Sequence, residues 1–237
     1  MMPKESFDTK YPVSSQDWWD KNLISKLNLT SLKKILDNIE PYNILDWGCG
    51  NLMWPIGLFP KSEITGVEIS KSNLKLASLN AKHNGVSFNP IHVSELSKIK
   101  ESYYDLACSF GLLEFLDEKS FREVHEKIYD ALIPGGYLIC VFYNWRPFSA
   151  VFLPHLFRGG YRRYCKKLNA KISKKSLNQI SEDFKSIGYK IEKFGGYNPY
   201  PSLLWPYIKS FFGFITYKKT LAHWYYSQFI LVRKPIN

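Results

Sequence analysis

Cysteine is scarce in this chain: 237 residues contain four, Cys49, Cys108, Cys140 and Cys165, none close to another. There is no CxxC and no Cys/His ligand spacing, so no zinc site is expected, and no other metal is called for. The scarcity suits a reducing compartment rather than a disulfide-built secreted fold. Long apolar runs are missing too. The N-terminus lacks the apolar core of a signal peptide. The uncharged aromatic stretch Phe194–Ile208 is too short to span a bilayer and carries Pro199, Pro201 and Pro206. A cytoplasmic protein is expected, soluble or peripheral at a membrane. Acids are outnumbered, 21 against 32 basic residues, for a net charge of +11. That balance favours anionic partners such as acidic lipid, nucleic acid or an acidic substrate, and it equally fits a merely solvated basic surface. No internal repeat and no low-complexity segment is visible.

What is present is a foldable chain. Hydrophobic residues make up 45% and aromatics 16%, which excludes disorder. The length suits one large domain or a domain with a cap. A helix is predicted from Ser14, with Trp18, Trp19, Leu23, Ile24 and Leu27 on one face, and a second from Thr30 to Ile39, ending before Pro41. Strands follow at 43–47, 63–68, 86–92, 103–109 and 136–143. Between them lie a short helix broken by Pro55, Gly57 and Pro60, a helix over 71–82 and a helix over 118–131. This alternation predicts an α/β fold with a parallel, doubly wound, Rossmann-like sheet of about seven strands and helices on both faces. A helix over 173–187, capped by Ser173 and ended by Gly188, precedes two strands at 189–194 and 224–233. They read as an antiparallel pair closing the sheet.

The most informative stretch is Asn43-Ile-Leu-Asp46-Trp-Gly48-Cys49-Gly50-Asn-Leu52, a strand that runs into a glycine turn with an acid at the strand's end. A second strand, Ile64-Thr-Gly-Val-Glu68-Ile69, also ends in an acid. Strand, glycine turn, strand and acid in that order point to a nucleotide-like ligand. Small residues admit it close to the backbone, and the second acid can accept both ribose hydroxyls.

These residues resemble motif I and the ribose-binding acid of class I S-adenosylmethionine (SAM)-dependent methyltransferases. The likeness continues through Tyr104–Leu116, similar to the family's fourth strand and loop, and through Leu132–Ile139, similar to the turn into the fifth strand. Residues 42–143 are covered well and the flanks in outline. The nearest flavour is the group that methylates quinones and other small molecules. Three positions depart from the family pattern. The third motif glycine is Leu52, which crowds the turn. The acid usual after the third strand is His92. The histidine common after Glu114 is Phe115, which removes an obvious general base.

The resemblance implies a layout. Residues 1–41 form a helical lid over cofactor and substrate, 42–143 the SAM-binding core, 144–172 a cap insertion, and 173–237 the rest of the core with an aromatic insertion at 195–223. SAM would be held by Asp46, Gly48, Cys49, Gly50, Glu68, Ile69, His92, Val93, Ser109 and Phe110, with Tyr11 and Trp18 closing over it. The acceptor would meet Phe115, Tyr143, Tyr161, Arg162, Tyr197 and Trp205. Methyl transfer mainly requires in-line alignment, since the sulfonium activates the methyl. An acidic acceptor must still lose a proton, for which Glu114, His155 and His223 are the candidates. The basic cap segment Tyr161–Lys167 would suit an anionic acceptor or an anionic membrane surface.

The leading expectation is methyl transfer to a small apolar or aromatic acceptor, with oxygen as the first choice of atom. Alternatives within the fold are cyclisation or aminocarboxypropyl transfer, RNA methylation, and a non-catalytic partner subunit. The RNA reading lacks an Asn-Pro-Pro-Tyr type motif, a Pro-Cys pair and any appended nucleic-acid module. Oligomeric state is not legible.

Overall fold

The computed structural model describes residues 23–143, 175–199, 217 and 225–236, with side chains over 28–142, 175–197, 217 and 227–236. In chain order the helices and strands are α1 (Leu23–Ile35), β1 (Asn43–Trp47), α2 (Met53–Leu58), β2 (Glu63–Glu68), α3 (Lys71–His83), β3 (Phe88–His92), β4 (Tyr104–Phe110), α4 (Glu118–Ala131), β5 (Leu132–Tyr143), α5 (Leu177–Ile187), β6 (Lys190–Pro199) and β7 (Tyr225–Arg233). The seven strands form one sheet in the order β3-β2-β1-β4-β5-β7-β6. The first five pair in parallel, and β7 runs antiparallel to both β5 and β6.

The strands are apolar on both faces because helices cover both. Ile44, Leu106, Cys108 and Ile139 pack with α1, α2 and α3 on one side. Leu45, Ala107, Leu138 and Cys140 pack with α4 and α5 on the other. Near-continuous apolar strands are what a doubly covered parallel sheet requires. The helix starts are written locally. The side chains of Ser70 and Asp117 accept from the backbone N–H of Asn73 and Ser120, and Ser176 with Gln179 forms a reciprocal capping box at α5.

Several boundaries differ from expectation. The two helices predicted around Thr30 are one over the described residues, since nothing in Asn28-Leu29-Thr30 breaks a helix and Leu29, Leu32 and Ile35 are buried along it. It stops at Ile35 rather than Ile39, and Asn38 takes a left-handed φ of 67° ahead of Pro41. Its predicted start at Ser14 lies outside the described residues. The α5 cap is Ser176, where Gln179 completes the box, rather than Ser173, which is also outside them. Strand β5 begins at Leu132. A bulge lets Tyr104 face Leu132 and then Leu106 face Tyr137, with Gly135 at φ 84° absorbing the extra residues. Helix α2 keeps Pro55 because a first-turn proline forfeits no helical hydrogen bond, and it ends before Pro60. At the far edge of the sheet, Lys193 of β6 donates from Nζ to the carbonyl of Ile35 at 2.9 Å, closing the last turn of α1. No helix among the described residues is long and apolar enough to cross a membrane.

Candidate functional site

Strand order reverses between β1 and β4: from β1 the chain winds outward through β2 and β3, then returns to β4. Ligands of open α/β sheets bind beyond the strand ends at such a reversal. A cleft of about 380 Å³ opens there, lined from the ends of β1, β2 and β4 and the segments that follow them.

Its floor is the glycine turn. Gly48 and Gly50 take φ values of 80° and 51°, which side-chain-bearing residues rarely adopt. Gly48 and Cys49 both donate backbone N–H to the carbonyl of Val67, at 2.8 and 3.1 Å, tying the turn to β2. Gly66, inside β2, makes room for this. A Cβ there would sit 2.8 Å from the Cys49 sulfur and 2.6 Å from the Phe88 ring.

Glu68 organises the next layer. Its Oε2 accepts from the backbone N–H of Gly50 at 3.0 Å, and its Oε1 accepts from Ile69 and Ser70 at 2.8 and 2.9 Å. One carboxylate therefore joins the glycine turn to the start of α3. Asp46, one strand over, is only 2% exposed, and its Oδ1 has no hydrogen-bond partner. Burial pushes its pKa well above the ordinary carboxylate range, and the charge of Glu68 raises it further. Burial likewise pushes up Cys49 and Cys108, with Asp46 adding to both.

His92 holds the rim. Its Nε2 lies 3.0 Å from the carbonyl of Ile69, an acceptor only, so Nε2 carries the proton. Its Nδ1 then accepts from the Ser94 backbone N–H at 3.2 Å. The histidine that replaces the usual acid thus ties the end of β3 to the loop after β2. Val93 and the half-exposed Ile69 line the cleft beside it. Much of the remaining lining is apolar. Trp54 of α2 stacks on Phe110 at the end of β4, ring centroids 5.8 Å apart, and Leu112 lies against Gly48.

Of the residues expected at the cofactor, Asp46, Gly48, Cys49, Gly50, Glu68, Ile69, Val93 and Phe110 line this cleft, as does Phe115 from the acceptor set. His92 stands beside it. Ser109 is buried in β4 and is not on the cleft wall. Glu114 is 4% exposed and does not line the cleft; Cys140, whose thiol pKa is pushed up by burial, is raised a little further by it. Tyr197 is 2% exposed and packs near Phe229, 6.3 Å between rings, in the core cluster that also holds Val141. Tyr143 ends β5, its side chain outside the described set. Tyr11, Trp18, His155, Tyr161, Arg162, Trp205 and His223 lie outside the described residues.

Leu52 does not crowd the cleft. It keeps the left-handed backbone a glycine would take, φ 67°, but its side chain is wholly buried in the core and is absent from the cleft wall. Sequence reasoning missed Trp54, Asn73, Leu116 and Val124, which also line the cleft. Trp54 stands four residues after Gly50 on the helix that the glycine turn opens, a spacing that could have flagged it.

The residues present fit SAM. Asp46 offers a buried acceptor without a partner, Glu68 stands at the second strand end, and the ionisable groups on the described cleft wall are Asp46, Cys49 and Glu68.

Comparison with known proteins agrees with this geometry. The family described as "Methyltransferase domain" matches residues 44–136. A ubiquinone biosynthesis O-methyltransferase of Alkalilimnicola ehrlichii is 30% identical over 153 residues, covering 60% of this chain and 61% of that protein. The chain thus spans about three-fifths of the length of this curated relative. Among solved structures, a SAM-dependent methyltransferase of Thermotoga maritima superposes with a TM-score of 0.64 at 17% identity, over 92% of this chain and 95% of that one. A second, from Mesorhizobium loti, gives 0.63 at 16% identity over 90% and 100%. With the glycine turn, the second-strand acid and the reversal at β1 and β4 all in place, residues 44–136 match the methyltransferase-domain family and the chain has the fold of these SAM-dependent methyltransferase structures.

Proposed function

We propose that this chain transfers a methyl group from SAM to an oxygen of a small apolar or aromatic acceptor. The observation that carries the reading is the mixed lining of the cleft. It presents Asp46 and Glu68 at adjacent strand ends together with the rings of Trp54, Phe110 and Phe115. Glu68 suits the ribose hydroxyls, Asp46 the ammonium of the methionine arm, and the backbone around Gly48 and Gly50 a close approach of that arm.

SAM, when bound, supplies an electrophilic methyl on a positively charged sulfur. What the chain adds is alignment and exclusion of water. In-line displacement forms the oxygen–carbon bond as the sulfur–carbon bond breaks, its electron pair stays on sulfur, and the acceptor proton leaves to a base or to water. Oxygen is favoured by the name of the Alkalilimnicola ehrlichii relative, an O-methyltransferase of ubiquinone biosynthesis. The apolar lining suits an acceptor of that character.

Calorimetric titration with SAM and with S-adenosylhomocysteine, followed by transfer of labelled methyl to catechol-type phenols, tests the reading. Micromolar binding of both and a labelled methyl ether are expected. Absence of binding to either ligand would overturn it.

A further inference from the structure

The two helical layers that cover the sheet differ in charge. On the α4–α5 side acids outnumber bases, and the basic side chains are drawn into pairs along the helices, Lys119 with Glu123, Arg122 with Glu126 and Lys185 with Glu182. Helices α1, α2 and α3 on the other side carry no acid at all. Their charged residues are Lys26, Lys33, Lys34, Lys71, Lys75 and Lys82. On α3, Lys71, Lys75 and Lys82 are all exposed and stand at i, i+4 and i+11, one line along the helix over about 16 Å. No ion pair among the described residues involves them. Glu95, the acid within reach of the Lys71 charge, is paired with Lys98. Lys71 also sits in the first turn of α3, where the helix dipole disfavours a cation. Beside the line, Leu79 is 42% exposed.

The line starts at the cleft. Ile69, half-exposed and part of the cleft lining, immediately precedes Ser70, the cap of α3. The exposed acids Asp37, Glu40 and Glu63 stand where the chain enters β1 and β2, at the strand ends opposite the cleft. Three helices laid over one sheet face make a layer, and a cationic layer complements a plane of negative charge. Helices α1 and α3 carry no arginine and no aromatic residue, so they offer neither the forks nor the stacking platforms with which proteins hold nucleic acid. Lysines around an exposed leucine suit a lipid headgroup layer instead.

We infer that the α1–α3 face docks this protein on an anionic phospholipid surface, with the lysine line of α3 as the main contact. The acid-rich α4–α5 layer is repelled by the same surface, so the molecule approaches in one orientation. Each lysine brought near such a surface strengthens partitioning about fivefold, and salt screens the effect. Once docked, the chain holds the cleft rim at Ile69 beside lipid, whichever ligand fills the cleft.

The test is sedimentation of the full chain with vesicles of phosphatidylcholine alone and of phosphatidylcholine mixed with phosphatidylglycerol, which needs no cofactor and so stands apart from the reading of the cleft. Three chains are compared: the unaltered one, the α3 variant Lys71→Gln/Lys75→Gln/Lys82→Gln, and an opposite-face variant of equal charge, Lys119→Gln/Lys127→Gln/Lys185→Gln. The unaltered chain is expected to bind the mixed vesicles only, and less as salt rises. The α3 variant should partition about a hundredfold more weakly, and the opposite-face variant should change by less than about threefold. Should the α3 triple variant not fold, Lys75→Gln/Lys82→Gln carries the test, with a loss of about twenty-five-fold expected. Equal losses in both variants would overturn the inference, since net charge alone would then govern binding. Undiminished binding of the α3 variant would also overturn it and would move the contact to another segment, such as Tyr161–Lys167. A chain that ignores both vesicles but binds a single-stranded oligonucleotide, and loses that binding in the α3 variant, would assign the face to nucleic acid and overturn it as well. So would a chain that binds neither vesicle nor oligonucleotide.

Discussion

Gly50 donates its backbone N–H to Oε2 of Glu68 at 3.0 Å, eighteen residues further along the chain, so the acid of the second strand holds the turn of the first. The carboxylate expected to bind ribose is also a structural clasp, with its other oxygen engaged by Ile69 and Ser70. Ligand binding and local stability are therefore coupled at one side chain.

Replacement of Glu68 should accordingly affect both. Glu68→Ala removes the acceptor of three backbone donors. Hydrogen bonds to charged groups are worth about 1.5–3 kcal/mol each, but these donors regain water in the open cleft, so a net loss of roughly 2 kcal/mol is expected. Glu68→Gln keeps an acceptor for Ile69 and Ser70 and should lose less stability while binding SAM at least about tenfold more weakly. Thermal melts and calorimetry on both variants separate the two roles. Unchanged SAM affinity in Glu68→Gln would remove it from the ribose.

Leu52→Gly restores the family residue, yet it should destabilise. The left-handed backbone at φ 67° costs leucine about 1–2 kcal/mol, which glycine would recover. The leucine side chain is fully buried, and deleting such a group costs about 3–5 kcal/mol. The cavity term wins, leaving a net loss of about 2 kcal/mol. A denaturant midpoint equal to or above that of the unaltered chain would refute this.

SAM affinity should rise with pH through the range in which Asp46 ionises. Its folded pKa lies well above the ordinary value because of burial and then Glu68. A cation seated beside it favours the charged form, so the complex binds fewer protons than the free chain and binding strengthens as pH rises. Titrations at several pH values should show this slope, and Asp46→Asn should flatten it. An identical slope in the variant would place the linked proton elsewhere.

His125 should limit stability in acid. Its ring is fully buried against Phe121 and Phe184, donates from Nδ1 to the Phe121 carbonyl at 2.7 Å, and has its pKa pushed down by burial to about 4 from 6.5. The unfolded chain takes up the proton first. Stability from this group is complete above pH 6.5 and is lost as pH falls towards 4, amounting to about 3 kcal/mol. Chemical denaturation at steps between pH 7 and 4 should show the decline, and His125→Leu should reduce its slope in that window.

The sheet was legible because its signals are local and redundant. Apolar runs such as Ile44-Leu45 and Leu106-Ala107-Cys108, punctuated by glycine and acid, specify buried parallel strands, and the order of Gly48, Gly50 and Glu68 specifies the cofactor end. What escaped depends on tertiary placement. The role of Leu52 turns on which way a left-handed residue points its side chain, and Trp54 enters the site only because α2 brings it against Phe110. The fusion of the helices at Thr30 was hidden because no residue there favours or forbids a break. The burial of Glu114 was hidden because the short turn Leu113–Phe115 has too few residues to show a periodicity.

The bond from Lys193 to Ile35 spans 158 positions of sequence. A ribosome releases α1 before any other described element, whereas β6 is among the last. The final turn of α1 therefore leaves the exit tunnel with its carbonyl uncapped and stays so until the antiparallel edge has been synthesised and paired. Such distant closures slow folding, because the chain entropy is lost before the contact returns anything. Among the described elements α1 is the first made and the bond at its C-terminal end is among the last formed, so a nascent chain cut short before β6 would present that uncapped end to the chaperones that meet it.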